Sequence, residues 1–164
     1  MEKEERELKN ETVVRLFDTY ADDLYRFTIS YVGSRQEAED IVQDLFMKLV
    51  SKNIILGKEY EKANLMKMTV NMCKDYLKSS RTRLTVDYDS ADKICGNSDE
   101  FTVKEKQLLD DLMSIKEKYR VPIYLHYYEG YSYREIAKIL RISESAVAMR
   151  ISRGKEVLKS RLEE

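Results

Sequence analysis

Residues 132–162, SYREIAKILRISESAVAMRISRGKEVLKSRL, decide the fold of the C-terminal part of this chain. They contain two helical patterns, SYREIAKIL and ESAVAMRISRGKEVLKSRL, joined by Arg141, Ile142 and Ser143. Apolar residues recur at helical spacing on one side of both patterns, so the two helices are predicted to pack together. Ser132 and Glu135 predict a capping box on the first helix, and Ser143 is placed to cap the second. The stretch therefore predicts a helix-turn-helix.

The exposed side of this unit is basic. From Tyr131 to Leu162 eight lysines and arginines face three glutamates, although the formal net charge of the whole chain is −1. Such a cationic stripe favours a phosphate backbone as partner, and residues early in the second helix would face base edges. A surface helical hairpin without a DNA partner is the alternative. The candidate contact residues for duplex DNA are Arg141, Ser143, Glu144, Ser145, Ala148, Met149, Arg150 and Arg153.

Composition restricts the class of protein. The 164 residues are 43% hydrophobic and 36% charged, with five glycines and one proline, which is typical of a mostly helical protein. No apolar run approaches the roughly 18 residues of a membrane span, and the charged start MEKEERELKN does not fit a signal peptide. We therefore expect a cytoplasmic protein without membrane insertion.

Cysteine and histidine are too few for a closed metal site. Cys73 and Cys95 lie far apart and His126 is the single histidine, whereas structural zinc generally needs four such ligands. No nucleophile, base and orienting group converge in the sequence, so an enzyme ranks third among the functional hypotheses. We expect no metal, no cofactor and no small-molecule substrate.

The chain divides into two helical blocks. Residues 85–101, TVDYDSADKICGNSDEF, are rich in Asp, Ser and Asn, and such a segment buries too little apolar surface to offset its ordering entropy. The predicted architecture is all-α, with two small helical domains at 1–83 and 104–164 and a flexible linker at 84–103. The C-terminal domain is the helix-turn-helix one.

Two further helix faces in the N-terminal block carry charge. Asp40, Gln43 and Asp44 follow one another at i, i+3, i+4 beside an apolar stripe, which suits a basic partner surface. In a later helix four cations and one amide form a ridge in which the cations can meet phosphates and the amide can read a base edge: Lys67, Asn71, Lys74, Lys78 and Arg81. On spacing alone, an ordinary solvated face is the more common explanation for both.

Together these pieces resemble a bacterial RNA polymerase sigma factor of the extracytoplasmic-function (ECF) group within the sigma-70 superfamily. EAEDIVQDLF at 37–46 resembles the family's core-binding helix, TVNMCKDYLKSSR at 69–81 its downstream promoter-recognition helix, and 117–162 its upstream promoter-reading domain. The resemblance implies core polymerase contacts at Asp40, Gln43 and Asp44. It implies downstream promoter contacts at Lys67, Asn71, Lys74, Asp75 and Lys78.

The function implied is that of a transcription initiation factor that binds core RNA polymerase and promoter DNA. Because such factors are commonly held inactive by an anti-sigma protein, that protein is a further candidate partner. The alternative is a stand-alone helix-turn-helix regulator that acts without core polymerase.

Four features depart from the family pattern. The chain has no tryptophan, Arg141 stands where the turn usually has glycine, and Ala148 stands where lysine is frequent. Ser114 and Ile115 replace the leucine-proline pair that often opens the C-terminal domain. An arginine in the turn predicts either backbone strain or another turn geometry, because only glycine adopts left-handed geometry without steric cost.

Overall fold

The structure, a computed structural model, describes residues 1–52, 54, 56–83 and 102–163. These residues form helices and contain no strand. The predicted linker lies almost entirely outside the described residues, as does Cys95. The helices are α1 (Glu2–Val32), α2 (Arg35–Ser51), α3 (Glu61–Arg83), α4 (Val103–Met113), α5 (Glu117–Ile123), α6 (Tyr133–Leu140) and α7 (Glu144–Leu162).

The N-terminal domain packs α1, α2 and α3 against one another. Gly33 ends α1 in the left-handed conformation that glycine adopts without strain, at φ 76°. Ser34 then caps α2 by accepting from the Glu37 N–H at 3.4 Å. This is one of the two hydrogen bonds of the capping box that the sequence Ser34-Arg35-Gln36-Glu37 predicts. The periodic apolar face of α2 is buried as predicted and consists of Ala38, Ile41, Val42, Leu45, Phe46 and Leu49.

The C-terminal domain contains the predicted helix-turn-helix. Ser132 and Glu135 form a complete capping box, with N···O distances of 3.1 and 2.7 Å, and Ser143 caps α7 by accepting from the Ala146 N–H. Pro122 lies inside α5, and a π-helical turn at Tyr124–Tyr128 follows it. The core of the motif is Ile136, Ala137, Ile139, Leu140, Val147 and Ile151, with Ile142 and Leu158 partly buried.

The two domains share one hydrophobic core. A single cluster of buried side chains joins Phe27 of α1 to Tyr124 of the C-terminal domain, with ring centroids 5.7 Å apart. Helix α1 also packs on α4 and α5, and α3 packs on α6. The all-α fold of two helical domains is confirmed, and the domains lie against each other.

One apolar residue of α1 lies on the surface against the helical pattern. Helical spacing places Phe17 in an apolar stripe with Leu24 and Phe27, but 45% of Phe17 is exposed, while Leu16 beside it is 3% exposed. Phe17 packs edge-on against Phe46 of α2 at 5.0 Å between centroids. Among the described residues, no helix is long and apolar enough to cross a membrane.

Candidate protein and nucleic-acid interfaces

Asp40, Gln43 and Asp44 lie exposed on the outer face of α2. Their spacing places the three side chains on adjacent turns, while the opposite face of the helix is buried against α1 and α3. Met47 continues the same face and is 65% exposed. This acidic patch therefore combines two carboxylates and an amide with an accessible apolar side chain, a combination that suits a basic, partly apolar partner surface.

An open groove of about 560 Å³ runs beside the acidic patch, between α1 and α2. Gln43 forms one wall, and Phe17 contributes an exposed aromatic edge. The hydroxyl of Tyr25, another lining residue, is buried without a hydrogen-bond partner. The groove extends the accessible surface of α2 toward α1.

The predicted ridge on α3 divides into exposed and partly covered positions. Asp75 and Lys78 are exposed, whereas Lys67, Asn71 and Lys74 are partly buried. The ammonium of Lys74 donates to the carbonyl oxygen of Leu140, at the end of α6, at 3.2 Å. Burial and the positive charges of Arg141 and Arg150 lower the pKa of Lys74.

The other side of α3 is more deeply buried than the sequence indicates. Helical spacing predicts a buried stripe of Met66, Val70, Cys73 and Leu77; the first three have no exposed surface, and Leu77 is partly buried. Leu65 and Thr69 are also fully buried. The Thr69 hydroxyl donates to the Leu65 carbonyl at 2.8 Å, so this polar side chain is satisfied within its own helix. Burial raises the pKa of the Cys73 thiol to about 12.

The candidate DNA-reading residues of the helix-turn-helix are mostly accessible. Arg141, Ser143, Glu144, Ser145, Met149 and Arg153 are exposed, and Ala148 and Arg150 are partly buried. The Ser143 and Ser145 hydroxyls lie 3.1 Å apart, so the cap residue also organises the start of α7. The pKa of Tyr119 lies below its usual value: burial alone would raise this pKa, but hydrogen bonds with Arg153 and Lys118 lower it.

Arg141 adopts the left-handed conformation, with φ 56° and ψ 47°. Among the described non-glycine residues it is the one with positive φ. Its backbone N–H caps α6 by donating to the Ala137 carbonyl. The turn therefore has the left-handed geometry that glycine adopts easily, and Arg141 carries the resulting backbone strain.

The domain contact brings the two candidate DNA-binding surfaces together. Lys74 on α3 meets the end of α6, and both Arg141 and Arg150 lie close enough to lower its pKa. No acidic residue of the described chain forms an ion pair with Lys74. Cationic side chains of both domains therefore lie close together where α3 meets the end of α6, and the carboxylate of Glu117 partly offsets their effect on the pKa of Lys74.

Sequence reasoning missed the polar contacts that join the domains. Arg120 of α5 is 8% exposed, and its guanidinium donates to the carbonyls of Ser30 and Tyr31 at 2.6 Å each. A third bond reaches the Ile115 carbonyl at 3.0 Å. The last carbonyls of a helix lack partners within the helix, and α1 has no basic residue in its last turn that could bind them. This lack of a basic residue was the signal in the sequence that a cation from elsewhere in the chain would bind there.

A second interdomain contact is the ion pair between Lys62 of α3 and Glu129. Their N···O distance is 2.8 Å, and the Glu129 side chain is 5% exposed. Lys62 also pairs with Asp23 of α1 at 3.0 Å. Although burial lowers the pKa of Lys62, these two carboxylates raise it above its usual value.

Within the N-terminal domain, Arg15 forms a two-pronged pair with the buried carboxylate of Glu61, at 2.6 and 3.2 Å. Hydrogen bonding from Arg15, with a further bond from Tyr20, lowers the pKa of Glu61. This pair joins α1 to the first turn of α3 and positions the ridge. In the described part of the chain, His, Cys, Asp and Glu form no cluster of three suited to a metal ion.

Two family models match the chain in order along its length. Residues 16–83 match Sigma-70 region 2, which spans most of α1, all of α2 and all of α3. Residues 106–158 match Sigma-70, region 4, which spans α5, α6 and most of α4 and α7. The acidic patch and the α3 ridge lie in the first region, and the helix-turn-helix lies in the second.

Curated relatives and a solved structure agree with these matches. The ECF RNA polymerase sigma factor SigX of Bacillus subtilis is 29% identical, over 93% of this chain and 84% of SigX. SigM of the same organism is 26% identical, over 91% of this chain and 94% of SigM. The sigma factor RpoE of Bartonella quintana, solved with the anti-sigma factor NepR, superposes with a TM-score of 0.74 at 22% identity. That match covers 96% of this chain and 98% of RpoE, and it shows a shared fold. The chain belongs to the ECF group of RNA polymerase sigma factors, within the sigma-70 family.

Proposed function

We propose that the protein is a transcription initiation factor that binds core RNA polymerase and directs it to specific promoters. The observation that carries this proposal is the ordered match to regions 2 and 4 on a fold whose charged surfaces lie in both. Core polymerase and promoter DNA are the partners, which gives the protein a cytoplasmic site of action. The working units are residues 1–83 and 104–164, with 84–103 as the linker.

Asp40, Gln43 and Asp44 form the core-binding site in this proposal. Their support is their exposure on α2, together with the resemblance of EAEDIVQDLF to the family's core-binding helix. Two carboxylates on adjacent turns would attract a basic helix, and Met47 beside them adds an apolar contact. The groove next to Gln43 can accept a side chain from that partner.

Asn71 is the proposed reader of an unpaired promoter base, with Asp75 one turn away on α3. An amide side chain both donates and accepts, so it can recognise a base edge once the base has left the stack. Lys67, Lys74 and Lys78 would hold the flanking phosphates. The buried stripe of Leu65, Met66, Thr69, Val70 and Cys73 supports this role by fixing the rotation of α3.

The first turns of α7 are proposed to read the upstream element in the major groove. Arg141, Ser143, Glu144, Ser145, Ala148, Met149, Arg150 and Arg153 are the contact residues of this surface. Since each domain offers few base contacts, selectivity would arise from tethering two weak readers. A stand-alone helix-turn-helix regulator would leave the region 2 match and the acidic patch without a role.

An anti-sigma protein is a further proposed partner. The solved structure of RpoE was determined with the anti-sigma factor NepR, and RpoE has the fold of this chain. That likeness supports the existence of such a regulator and identifies no face for it.

The core-binding site is tested by charge reversal. The double variant Asp40→Arg with Asp44→Arg should lose binding to core polymerase while its helical circular dichroism and its melting temperature stay unchanged. The matched control is Glu4→Arg with Glu7→Arg, two exposed positions at i, i+3 on α1 that precede the region 2 match. Undiminished binding of the first variant in a core polymerase pull-down would refute the assignment.

A transcription assay tests the function as a whole. Sigma-free core polymerase with the purified protein should start transcription at defined sites on a random promoter library. Absence of any selected start site would overturn the proposed function. Asn71→Ala should impair open-complex formation, detected by permanganate reactivity, more than it impairs upstream footprinting, and equal loss of both would contradict base capture.

A further inference from the structure

We propose that a cleft on the flank of α7 binds a phosphate of the DNA backbone, with Lys155 and Lys159 as its cationic ligands and Tyr127 as a positioning residue for Lys155. The proposal rests on the proposed function for DNA as the partner. It adds a phosphate-binding site beside the residues already assigned to base reading.

The cleft is an open depression of about 420 Å³ between the first residue of α6 and one side of α7. Tyr133 forms the wall from α6, and Ala148, Ile151 and Ser152 line the side of α7. Ala148 belongs to the proposed DNA-reading surface, so the cleft is continuous with that surface. Because the side chain of Ala148 is a single methyl group, it leaves this end of the cleft open.

The polar groups that line the cleft suit an anion. Lys155 and Lys159 contribute ammonium groups, Tyr133 and Ser152 contribute hydroxyls, and Glu156 contributes the one carboxylate. In the part of the chain that the structure describes, neither lysine forms an ion pair. Both ammonium groups are therefore available to an external anion, and ammonium and hydroxyl groups are common ligands of DNA phosphates.

Aromatic rings hold the ammonium of Lys155 in place. This ammonium lies 4.7 Å from the centroid of the Tyr127 ring. His126 packs edge-on against both Tyr127 and Tyr133, with centroids 4.8 and 4.9 Å away. The Nδ1–H of His126 donates to the carbonyl oxygen of Tyr131 at 2.7 Å, which fixes the row of rings. A lysine held in this way loses less conformational freedom when it binds a phosphate.

The position of Lys155 on α7 favours DNA as the source of the phosphate. Side chains of a helix lean towards its N-terminus, so Lys155 reaches back towards Ala148, which lies about 10 Å earlier along the helix axis. A duplex read by the first turns of α7 would bring its backbone to this flank of the helix. An acidic protein segment fits less well, because the cleft opens beside the base-reading residues.

Lys155→Met tests the phosphate contact in the full chain. Binding of a short labelled duplex of mixed sequence is followed by fluorescence anisotropy at several salt concentrations. Loss of one phosphate contact should weaken binding roughly eightfold at about 0.1 M salt, and it should reduce the slope of log affinity against log salt by about 0.9. The matched control Lys104→Met removes the same charge from an exposed position on α4 and should change neither quantity.

Two variants of Tyr127 test its positioning role. Tyr127→Leu keeps the charge of Lys155 but removes the ring beneath its ammonium, so binding should weaken roughly twofold to fivefold at an unchanged salt slope. Tyr127→Phe retains the ring and should restore most of that loss. Full affinity in Tyr127→Leu would overturn the positioning role.

Ala148→Lys tests whether one cleft holds the phosphate. This variant places an ammonium at the opposite end of the cleft from Lys155. It should restore most of the affinity that Lys155→Met loses, but it should add much less to the unaltered chain, where the phosphate is already neutralised. Equal gains in both backgrounds would show that the two positions contact separate phosphates and would overturn the assignment of a single site.

Unchanged affinity and unchanged salt slope in Lys155→Met would overturn the assignment to DNA, in favour of an acidic protein segment. Duplex binding is measured without core polymerase. Failure of transcription with core polymerase would therefore overturn the proposed function and leave the duplex measurements standing.

Discussion

Replacement of Arg141 by glycine should stabilise the protein, although arginine is the better helix former. Arg141 is held at φ 56° and ψ 47°, a conformation that costs an L-residue about 1–2 kcal/mol. Glycine adopts it freely but loses about 0.5–1 kcal/mol more backbone entropy on folding. The net expectation for Arg141→Gly is a gain of about 0.5–1 kcal/mol in the free energy of unfolding.

Urea denaturation followed by circular dichroism measures this gain, and the melting temperature should rise by about 2 °C for a chain of this size. Lys138→Gly is the matched control, because Lys138 is an exposed cation in the regular part of α6. Glycine there should cost about 1 kcal/mol.

A second variant separates conformation from charge. Arg141→Ala removes the repulsion with Lys74 but keeps a side chain in the left-handed region, so it should recover less than half of the glycine gain. If alanine stabilised the protein as much as glycine, charge relief and not backbone strain would be the cause. If glycine gave no gain at all, the argument from backbone strain would be refuted.

Three further predictions concern packing and ionisation. Gly154→Val should destabilise the protein by about 2 kcal/mol in urea denaturation, because a Cβ at this position would lie 2.5 Å from Ile123 Cδ1. The control Ser152→Val, at an exposed position of the same helix, should change stability little. Equal effects of the two variants would contradict close packing of α5 on α7. The free energy of unfolding should fall as pH rises above 9, because burial raises the pKa of Cys73 and of Tyr131 in the folded protein to about 12, so these groups ionise first in the unfolded chain. Cys73→Ala should reduce this fall by up to about 1.4 kcal/mol per pH unit. An unchanged dependence of stability on pH in the variant would argue against this linkage. In a Cys95→Ser chain, the Cys73 thiol should react with a disulfide reagent only on unfolding; rapid reaction of the native protein would show that α3 is less buried than described.

The sequence by itself determined the main amphipathic helices and those of their ends that carry a capping signal. Local signals were enough for these features, because capping and amphipathic periodicity act within a few residues of one another. Ser132 with Glu135, the buried stripe of α2 and the cap at Ser143 all form where the sequence predicts them. At Arg141 the sequence left backbone strain and another turn geometry as alternatives, and the structure shows the strained, left-handed one.

Tertiary structure alone decided how the two helical domains meet. Arg120 and Ser30 lie far apart in sequence, and their contact depends on carbonyls that are left free only where α1 ends. Periodicity could not reveal that Phe17 stays exposed or that Lys74 donates to Leu140, because burial depends on which other element covers a helix face. The proposed DNA-binding residues were therefore recognisable one by one from the sequence, whereas the contact of Lys74 with the end of α6 arises only from the packing of α3 against α6.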